Sequence, residues 1–150
     1  MASRTIKSPG WAFDVKVEGN DLIVENTTGT WFGGDHDPDD DGQTASGINT
    51  KGNPGLLGCS LPMNYQGPSK PTVKAVGGSP IPMLPYRKTQ VIVTSRGKSL
   101  TVPLIDIGPA KWAKDGIDLT RAAFVALGGA LKQGVIPVSY RIIGGALFLK

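Results

Sequence analysis

Turn-forming residues are spread along the whole chain, and they restrict it to short structural elements. The 150 residues include 21 glycines and 12 prolines, which interrupt helices and favour tight turns. Hydrophobic residues make up 39% of the sequence, and a chain of this length is sufficient for one domain with a buried core. The composition therefore favours many short strands joined by turns and argues against a helical bundle.

Alternating hydrophobic and polar residues predict two β-hairpins. Strands at 13–17 and 22–24 flank a turn at Glu18-Gly-Asn-Asp21, and strands at 89–94 and 99–105 flank a turn at Arg96-Gly-Lys98. We assign residues 1–27 to an N-terminal extension with the first hairpin, and residues 28–150 to a barrel domain.

One helix is predicted in the C-terminal part of the chain. Apolar residues between Leu119 and Leu127 recur at helical spacing, and Gly128 follows where such a helix would end. A last strand is predicted over 135–143, in which Pro137 marks a bulge or an edge. The expected fold class is a small, mainly β barrel with one or two short helices and an N-terminal β-hairpin.

The charge of +4 is unevenly distributed along the chain. Five of the 12 acidic residues lie in Asp35–Asp41, which leaves the remainder of the chain strongly basic. A basic surface suits an anionic polymer such as a nucleic acid, an acidic cell-wall glycan or a membrane surface, although a soluble protein without such a partner fits equally well. No aromatic and basic motif supports nucleic-acid binding, so no nucleic-acid partner is expected.

Neither a membrane span nor a signal peptide is predicted. No apolar run approaches the length that a bilayer requires, and residues 1–10 contain no apolar segment typical of a signal peptide.

The single cysteine and the single histidine exclude several kinds of site. Cys59 cannot form an internal disulfide, and His36 alone cannot supply a site with several imidazoles. Cys59 lies in an apolar segment and is interpreted as a core residue rather than as a nucleophile paired with His36. No cofactor is expected.

An acidic segment offers oxygen ligands for a hard cation. Asp37, Asp39 and Asp41 alternate before Gly42, as in a calcium loop. Pro38 constrains this backbone, and no glutamate follows at the twelfth loop position. The segment is therefore interpreted as a solvated acidic loop, with calcium binding as the less favoured alternative.

Two aspartates stand out in the C-terminal half, where acidic residues are few. Asp106 and Asp118 are twelve positions apart, and two carboxylates beside one cleft are what acid/base chemistry on a glycosidic bond requires. Each has a structural alternative. Asp118 precedes the predicted helix and could cap it, and Asp106 could belong to a turn before Gly108-Pro109.

Five short segments occur in the order found in a known group of proteins. The segments are Thr30–Gly33, Thr44–Gly47, Leu104–Pro109, Ile117–Phe124 and Gly134–Val138. Together they resemble the successive motifs of the six-stranded double-psi β-barrel proteins, which include rare lipoprotein A-like lytic transglycosylases, expansins and family 45 glycoside hydrolases. The similarity covers roughly residues 28–143.

The resemblance implies a barrel whose groove binds a linear polysaccharide, either peptidoglycan or a cellulose-like glucan. It assigns Asp118 the position of the general acid and Asp106 the position of a second acidic group beside the same groove. It also implies a monomer that acts outside the cytoplasm, in the periplasm or cell wall. The chain departs from the transglycosylase pattern at Ile48, where a glutamate is common, and at Cys59, where a histidine is expected. These departures favour an alternative, an expansin-like module that binds glycan without cleaving it.

Aromatic and hydroxyl side chains in the same segments are candidates for sugar contacts. Trp31 and Trp112 could stack on sugar faces, although Trp31 could equally pack in the core. Thr30, Thr44 and Ser46 are candidate hydrogen-bonding groups for the substrate or for the barrel backbone.

Overall fold

The computed structural model of the protein describes residues 4–6, 15–33, 42–44, 46–61, 87–107 and 115–148. Strands predominate in these residues, and the predicted mainly β fold class is confirmed. The elements are β1 (Arg4–Ile6), β2 (Val15–Glu18), β3 (Asp21–Phe32), β4 (Cys59–Leu61), β5 (Gln90–Ser95), β6 (Lys98–Ile107), β7 (Asp115–Thr120), α1 (Arg121–Ala126), β8 (Val135–Ile142) and a 3-10 helix (Gly145–Phe148).

Six of these strands form a closed barrel, as predicted. Their order is β3-β7-β4-β6-β5-β8, and β3 also pairs with β8 and so closes the sheet. The pairs β3–β7 and β4–β6 are parallel, whereas the other four barrel pairs are antiparallel. Parallel neighbours require long connections, so segments far apart in the sequence meet side by side.

The N-terminal hairpin is built onto the barrel through β3. Strand β2 pairs with the first residues of β3 around a turn at Gly19, which has a φ of +61°, and β1 pairs with the outer edge of β2. Strand β3 then continues into the barrel and pairs with β7 from Thr28 onwards. The expected boundary after residue 27 therefore falls inside one continuous strand that the hairpin and the barrel share.

The second hairpin has the turn that its sequence predicts. Strands β5 and β6 are joined by Arg96 and Gly97, with φ angles of +49° and +85°. Positive φ at both central residues is typical of the type I′ turns that match the twist of a hairpin.

The helix is shorter than the spacing predicts, because its expected first turn belongs to a strand. Ile117 and Leu119 are fully buried on alternate positions of β7, and α1 begins only at Arg121. Phe124 is fully buried on the helix. None of the helices among the described residues is long and apolar enough to cross a membrane.

The barrel interior is filled mainly by branched aliphatic side chains. On β3, Gly29 packs closely against this interior. A Cβ at this position would lie 3.3 Å from Val138 Cγ1 and 3.4 Å from Ile117 Cγ2. The Tyr140 hydroxyl is satisfied by donating to the carbonyl of Gly116 at 2.8 Å. The buried cluster comprises Val15, Val17, Leu22, Val24, Cys59, Leu61, Val91, Val93, Val102, Leu104, Ile117, Leu119, Ala123, Phe124, Leu127, Ile136, Val138, Tyr140 and Ile142.

Candidate functional site

The two predicted acidic residues belong to one row that crosses four strands. Thr30 on β3 pairs with Asp118 on β7, Asp118 pairs with Ser60 on β4, and Ser60 pairs with Asp106 on β6. We call these four residues the carboxylate row. Side chains of directly paired residues project from the same side of a sheet, so the register brings both carboxylates to one surface.

This surface is the outer face of the barrel. Ile117 and Leu119 on either side of Asp118 point into the core, and so do Cys59 and Leu61 on either side of Ser60. Because successive side chains of a strand alternate between faces, Asp118 and Ser60 point outwards.

The four side chains of the row differ in exposure. Ser60 is only 3% exposed, whereas Thr30, Asp106 and Asp118 are half-buried. Half-buried carboxyl groups can meet a ligand while they remain held by the protein.

A β-bulge brings Asp106 into the row. Cys59 pairs with Leu104, but the next residue, Ser60, pairs with Asp106, so the register skips Ile105. A bulge of this kind redirects a side chain where a regular ladder would turn it away. Ile105 itself is fully buried, whereas Asp106 keeps an accessible surface beside Ser60.

Asp118 is held by a hydroxyl group and does not cap the helix. Thr30 Oγ1 donates a hydrogen bond to Asp118 Oδ1 across β3 and β7. The N-cap residue of α1 is Thr120, and no side chain caps the helix there. The capping alternative for Asp118 is therefore not the arrangement in the structure.

The two carboxylates lie two strand spacings apart. Neighbouring strands are about 4.8 Å apart, so the backbones of Asp106 and Asp118 are separated by about 10 Å. The carboxyl groups of a glycosidase pair lie about 5 to 10 Å apart, a distance of the same size as this backbone separation.

One segment beside the row is fixed on β6. The amide of Ser46 donates to the carbonyl of Ile105 at 3.0 Å, and Arg87 Nη2 donates to the carbonyl of Ser46 at 2.8 Å. The hydroxyls of Thr44 and Ser46 lie 2.8 Å apart, and Thr44 also donates to the carbonyl of Ile48 at 2.6 Å. Both predicted hydroxyl groups therefore shape the loop that borders Asp106.

A second segment is fixed at the end of β7. The amide of Thr120 donates to the carbonyl of Gly58 at 3.0 Å, and the amide of Gly58 donates to Thr120 Oγ1 at 3.1 Å. Gly58 packs so closely on Ile105 that a Cβ there would lie 2.7 Å from Ile105 Cδ1. Gly58 is thereby held against β7 and β6 beside the carboxylate row.

Trp31 has a packing role in this structure. Its side chain packs against the core cluster, and its indole N–H donates to the carbonyl of Leu131 at 3.2 Å. This is the packing alternative that the sequence left open.

The remaining sequence candidates lie outside the described residues. They are Trp112, His36, Asp37, Asp39 and Asp41. Within the described part of the chain, no group of three or more histidine, cysteine, aspartate or glutamate side chains could hold a metal ion.

Ser60 is the member of the row that the sequence did not single out. Its signal is the alternation in Cys59-Ser60-Leu61, where one polar residue stands between two core residues. The residues that pair with Ser60 depend on the register of β4 against β6 and β7. The local alternation does not predict that register.

Comparison with known proteins identifies a shared fold. No protein-family model matches the sequence, and no curated protein is similar to it in sequence. Among solved structures, the Streptomyces papain inhibitor has a similar fold, with a TM-score of 0.53 and 21% sequence identity over 83% of this chain and 94% of the inhibitor. Identity at this level establishes similarity of fold alone, and the double-psi resemblance stays a prediction.

Proposed function

We propose that this protein acts on the cell-wall polysaccharide peptidoglycan, by lytic transglycosylase-like cleavage at the carboxylate row. The observation that carries this proposal is the pairing of Ser60 with both Asp106 and Asp118. It brings two half-buried carboxyl groups to one outward-facing surface. The excess of basic residues over the rest of the chain favours adsorption to an anionic wall. The proposed place of action is the cell wall, and the proposed active form is a monomer.

In this proposal Asp118 acts first as an acid and then as a base. Its carboxyl group gives a proton to the glycosidic oxygen, and the C1–O bond breaks with its electron pair going to that oxygen. The carboxylate then takes the proton from the C6 hydroxyl of the same sugar, whose oxygen bonds to C1 and closes a 1,6-anhydro ring. The proton lost in the first step returns in the second, and no water is consumed. Asp106 stabilises the positive charge that develops on the sugar.

Two positions favour an alternative in which the row binds glycan without cleaving it. Cys59 is fully buried, and burial raises the pKa of its thiol, so it supplies no acid or base at the surface. Ile48 is apolar, and its carbonyl accepts the Thr44 hydroxyl within the loop. With neither position contributing a titratable group to the surface, an expansin-like binding module is the second candidate.

Product analysis distinguishes the two candidates. The purified protein is incubated with peptidoglycan and, separately, with insoluble β-glucan, and the soluble products are identified by mass spectrometry. Cleavage as proposed yields anhydro-muropeptides, whereas a hydrolase yields reducing ends. Sedimentation with the same insoluble material measures binding whether or not a bond is cut.

The Asp118→Asn variant controls for contaminating activity, because products from a contaminant would persist in it. Binding without products would support the expansin-like module. Neither binding nor products would refute both candidates. Inhibition of papain is assayed in parallel, since the similar structure is that of a papain inhibitor.

A further inference from the structure

Ser60 lies between the two carboxyl groups of the carboxylate row, and its side chain is buried although it points away from the core. The strand that carries it, β4, pairs with β7 at Asp118 and with β6 at Asp106. Ser60 is only 3% exposed. Buried polar groups in folded proteins are hydrogen-bonded, so the Ser60 hydroxyl requires partners close by.

The register puts a carboxyl group within reach on each side of this hydroxyl. Directly paired residues of neighbouring strands have Cβ atoms about 5 Å apart. Serine Oγ lies one bond beyond its Cβ and the aspartate oxygens lie two bonds beyond theirs, which closes the gap to the about 2.5–3.0 Å of an O–H···O hydrogen bond. Thr30 binds Asp118 at Oδ1 from the β3 side, and a carboxyl group has two oxygens, so Asp118 has one oxygen for each neighbouring strand.

A hydroxyl between two carboxyl groups makes both contacts in one protonation state of the pair. Its oxygen accepts, and its single proton is donated once. An ionised carboxylate only accepts, whereas a protonated carboxyl group also donates. Both contacts therefore form when one carboxyl group holds a proton and the other is ionised.

We infer that the Ser60 hydroxyl bridges Asp106 and Asp118 and that Ser60 is a positioning residue of the proposed reaction. It accepts from the carboxyl group that holds the proton and donates to the ionised one. This is the state in which the proposed cleavage begins, with Asp118 as the acid and Asp106 as the anion that stabilises the developing positive charge. The effect on rate rests on the proposed function, whereas the bridge itself rests on the register and burial of Ser60.

Kinetics of anhydro-muropeptide release test the positioning role. Ser60→Ala should lower kcat about tenfold, the effect of losing one hydrogen bond to a charged group, and leave KM unchanged. Ser60→Thr keeps the hydroxyl and should restore most of the rate, whereas Ser60→Val, which has the same shape as threonine without the hydroxyl, should not.

The matched control is Ser95→Ala on β5. Ser95 is 2% exposed and donates to the carbonyl of Pro137 at 2.6 Å, away from the carboxylate row. Its loss should lower the melting temperature and leave kcat unchanged. If neither larger side chain folds at position 60, the comparison of Ser60→Ala with Ser95→Ala still separates a change in rate from a change in stability.

Melting temperatures test the bridge without any cleavage. Ser60→Ala should lower the melting temperature by about 3 °C or more. The shift should be clearly smaller when Asp106→Ala and Asp118→Ala are both present, because the hydroxyl has then lost the same partners. Equal shifts in the two backgrounds would refute the bridge.

The failure of this inference is distinguishable from the failure of the proposed function. A wild type that cleaves peptidoglycan, with an unchanged kcat in Ser60→Ala or full rescue by Ser60→Val, would refute the positioning role and leave the proposed function standing. A wild type that releases no products would refute the proposed cleavage and with it the effect on rate, and the melting temperatures would still decide whether the bridge exists.

Discussion

Two regions of the barrel surface hold aspartates through different hydrogen-bond partners. The difference distinguishes a structural aspartate from the proposed catalytic one. At the N-terminal hairpin, Asp21 accepts from the amide of Gly144 at 2.8 Å and from Arg141 Nη1 at 2.7 Å. Arg141 also binds Glu18 at 3.0 Å. On the carboxylate row, Asp118 accepts from the hydroxyl of Thr30.

The partners decide which protonation states each carboxyl group can adopt. An amide N–H and a guanidinium can only donate, so they stabilise the ionised form, and the pKa of Asp21 lies below its ordinary value, chiefly because of the Gly144 amide and also because of Arg141. A hydroxyl can donate to a carboxylate or accept from a protonated carboxyl group. The Thr30 contact is therefore compatible with both states of Asp118, which an acid/base role requires.

The largest expected effect is the loss of cleavage in Asp118→Asn. Removing a general acid lowers the rate about 10²- to 10⁴-fold, whereas Asp21→Asn, the matched carboxylate at the other region, should leave the rate unchanged. The amide at position 118 can still accept from Thr30, so the melting temperature should stay within a few degrees. Rates are measured by release of anhydro-muropeptides. A large fall in melting temperature with retained activity would show that Asp118 is structural.

A smaller effect is expected for Thr30→Val, which removes the donor to Asp118 and keeps the shape of the side chain. Loss of one hydrogen bond to a charged group corresponds to about 1.5 kcal/mol, or roughly tenfold in rate. Thr30 is a positioning residue in the proposal, so kcat should fall while KM stays constant, and Thr30→Ser should restore activity. An equal change in KM, or no rescue by serine, would contradict the positioning role.

The sequence contains enough information for the hairpins and for the fold class. The turn at Arg96-Gly97 and the alternation on both sides of it are local signals, and the structure confirms them. The sequence pattern predicts the start of the helix too early, because Leu119 fits both a helical and an alternating pattern. Its burial opposite Cys59 and Trp31 in the barrel decides for the strand.

The candidate site could be predicted only in part. Residue type, spacing and resemblance single out Asp106 and Asp118, but their place in one row depends on the pairing of Ser60 with both strands and on a bulge that skips Ile105. The register between such distant strands is set by which side chains pack inside the closed barrel. It cannot be predicted from a short stretch of neighbouring residues. Pro137 illustrates the same limit. Its strand is internal to the barrel, yet the pairing of β8 with β5 covers only Ser139 to Ile142, so proline is tolerated before that ladder begins.

At the hairpin region, Asp21→Ala should lower the free energy of unfolding by about 1–2 kcal/mol. The variant removes an ion pair with Arg141 and leaves the Gly144 amide without its acceptor. Glu25→Ala is the control, because it breaks an exposed pair with Lys16 that is worth little. Urea unfolding measures the free energy of unfolding of both variants. Equal values for the two variants would show that the Asp21 network contributes no more than an ordinary surface pair.

The smallest expected effect is a pH dependence that distinguishes Asp21 from its amide variant. A carboxyl group whose pKa is lower in the folded state binds fewer protons there, so its contribution to stability is complete above the unfolded-state pKa and is lost as the pH falls through the folded-state pKa. The ordinary value is 3.8, which puts the loss below about pH 4. Wild type should therefore be more stable than Asp21→Asn at pH 6, and the difference measured by urea unfolding should narrow as the pH is lowered below 4. A difference that stays constant over this range would show that ionisation of Asp21 does not stabilise the hairpin, which would contradict its lowered pKa.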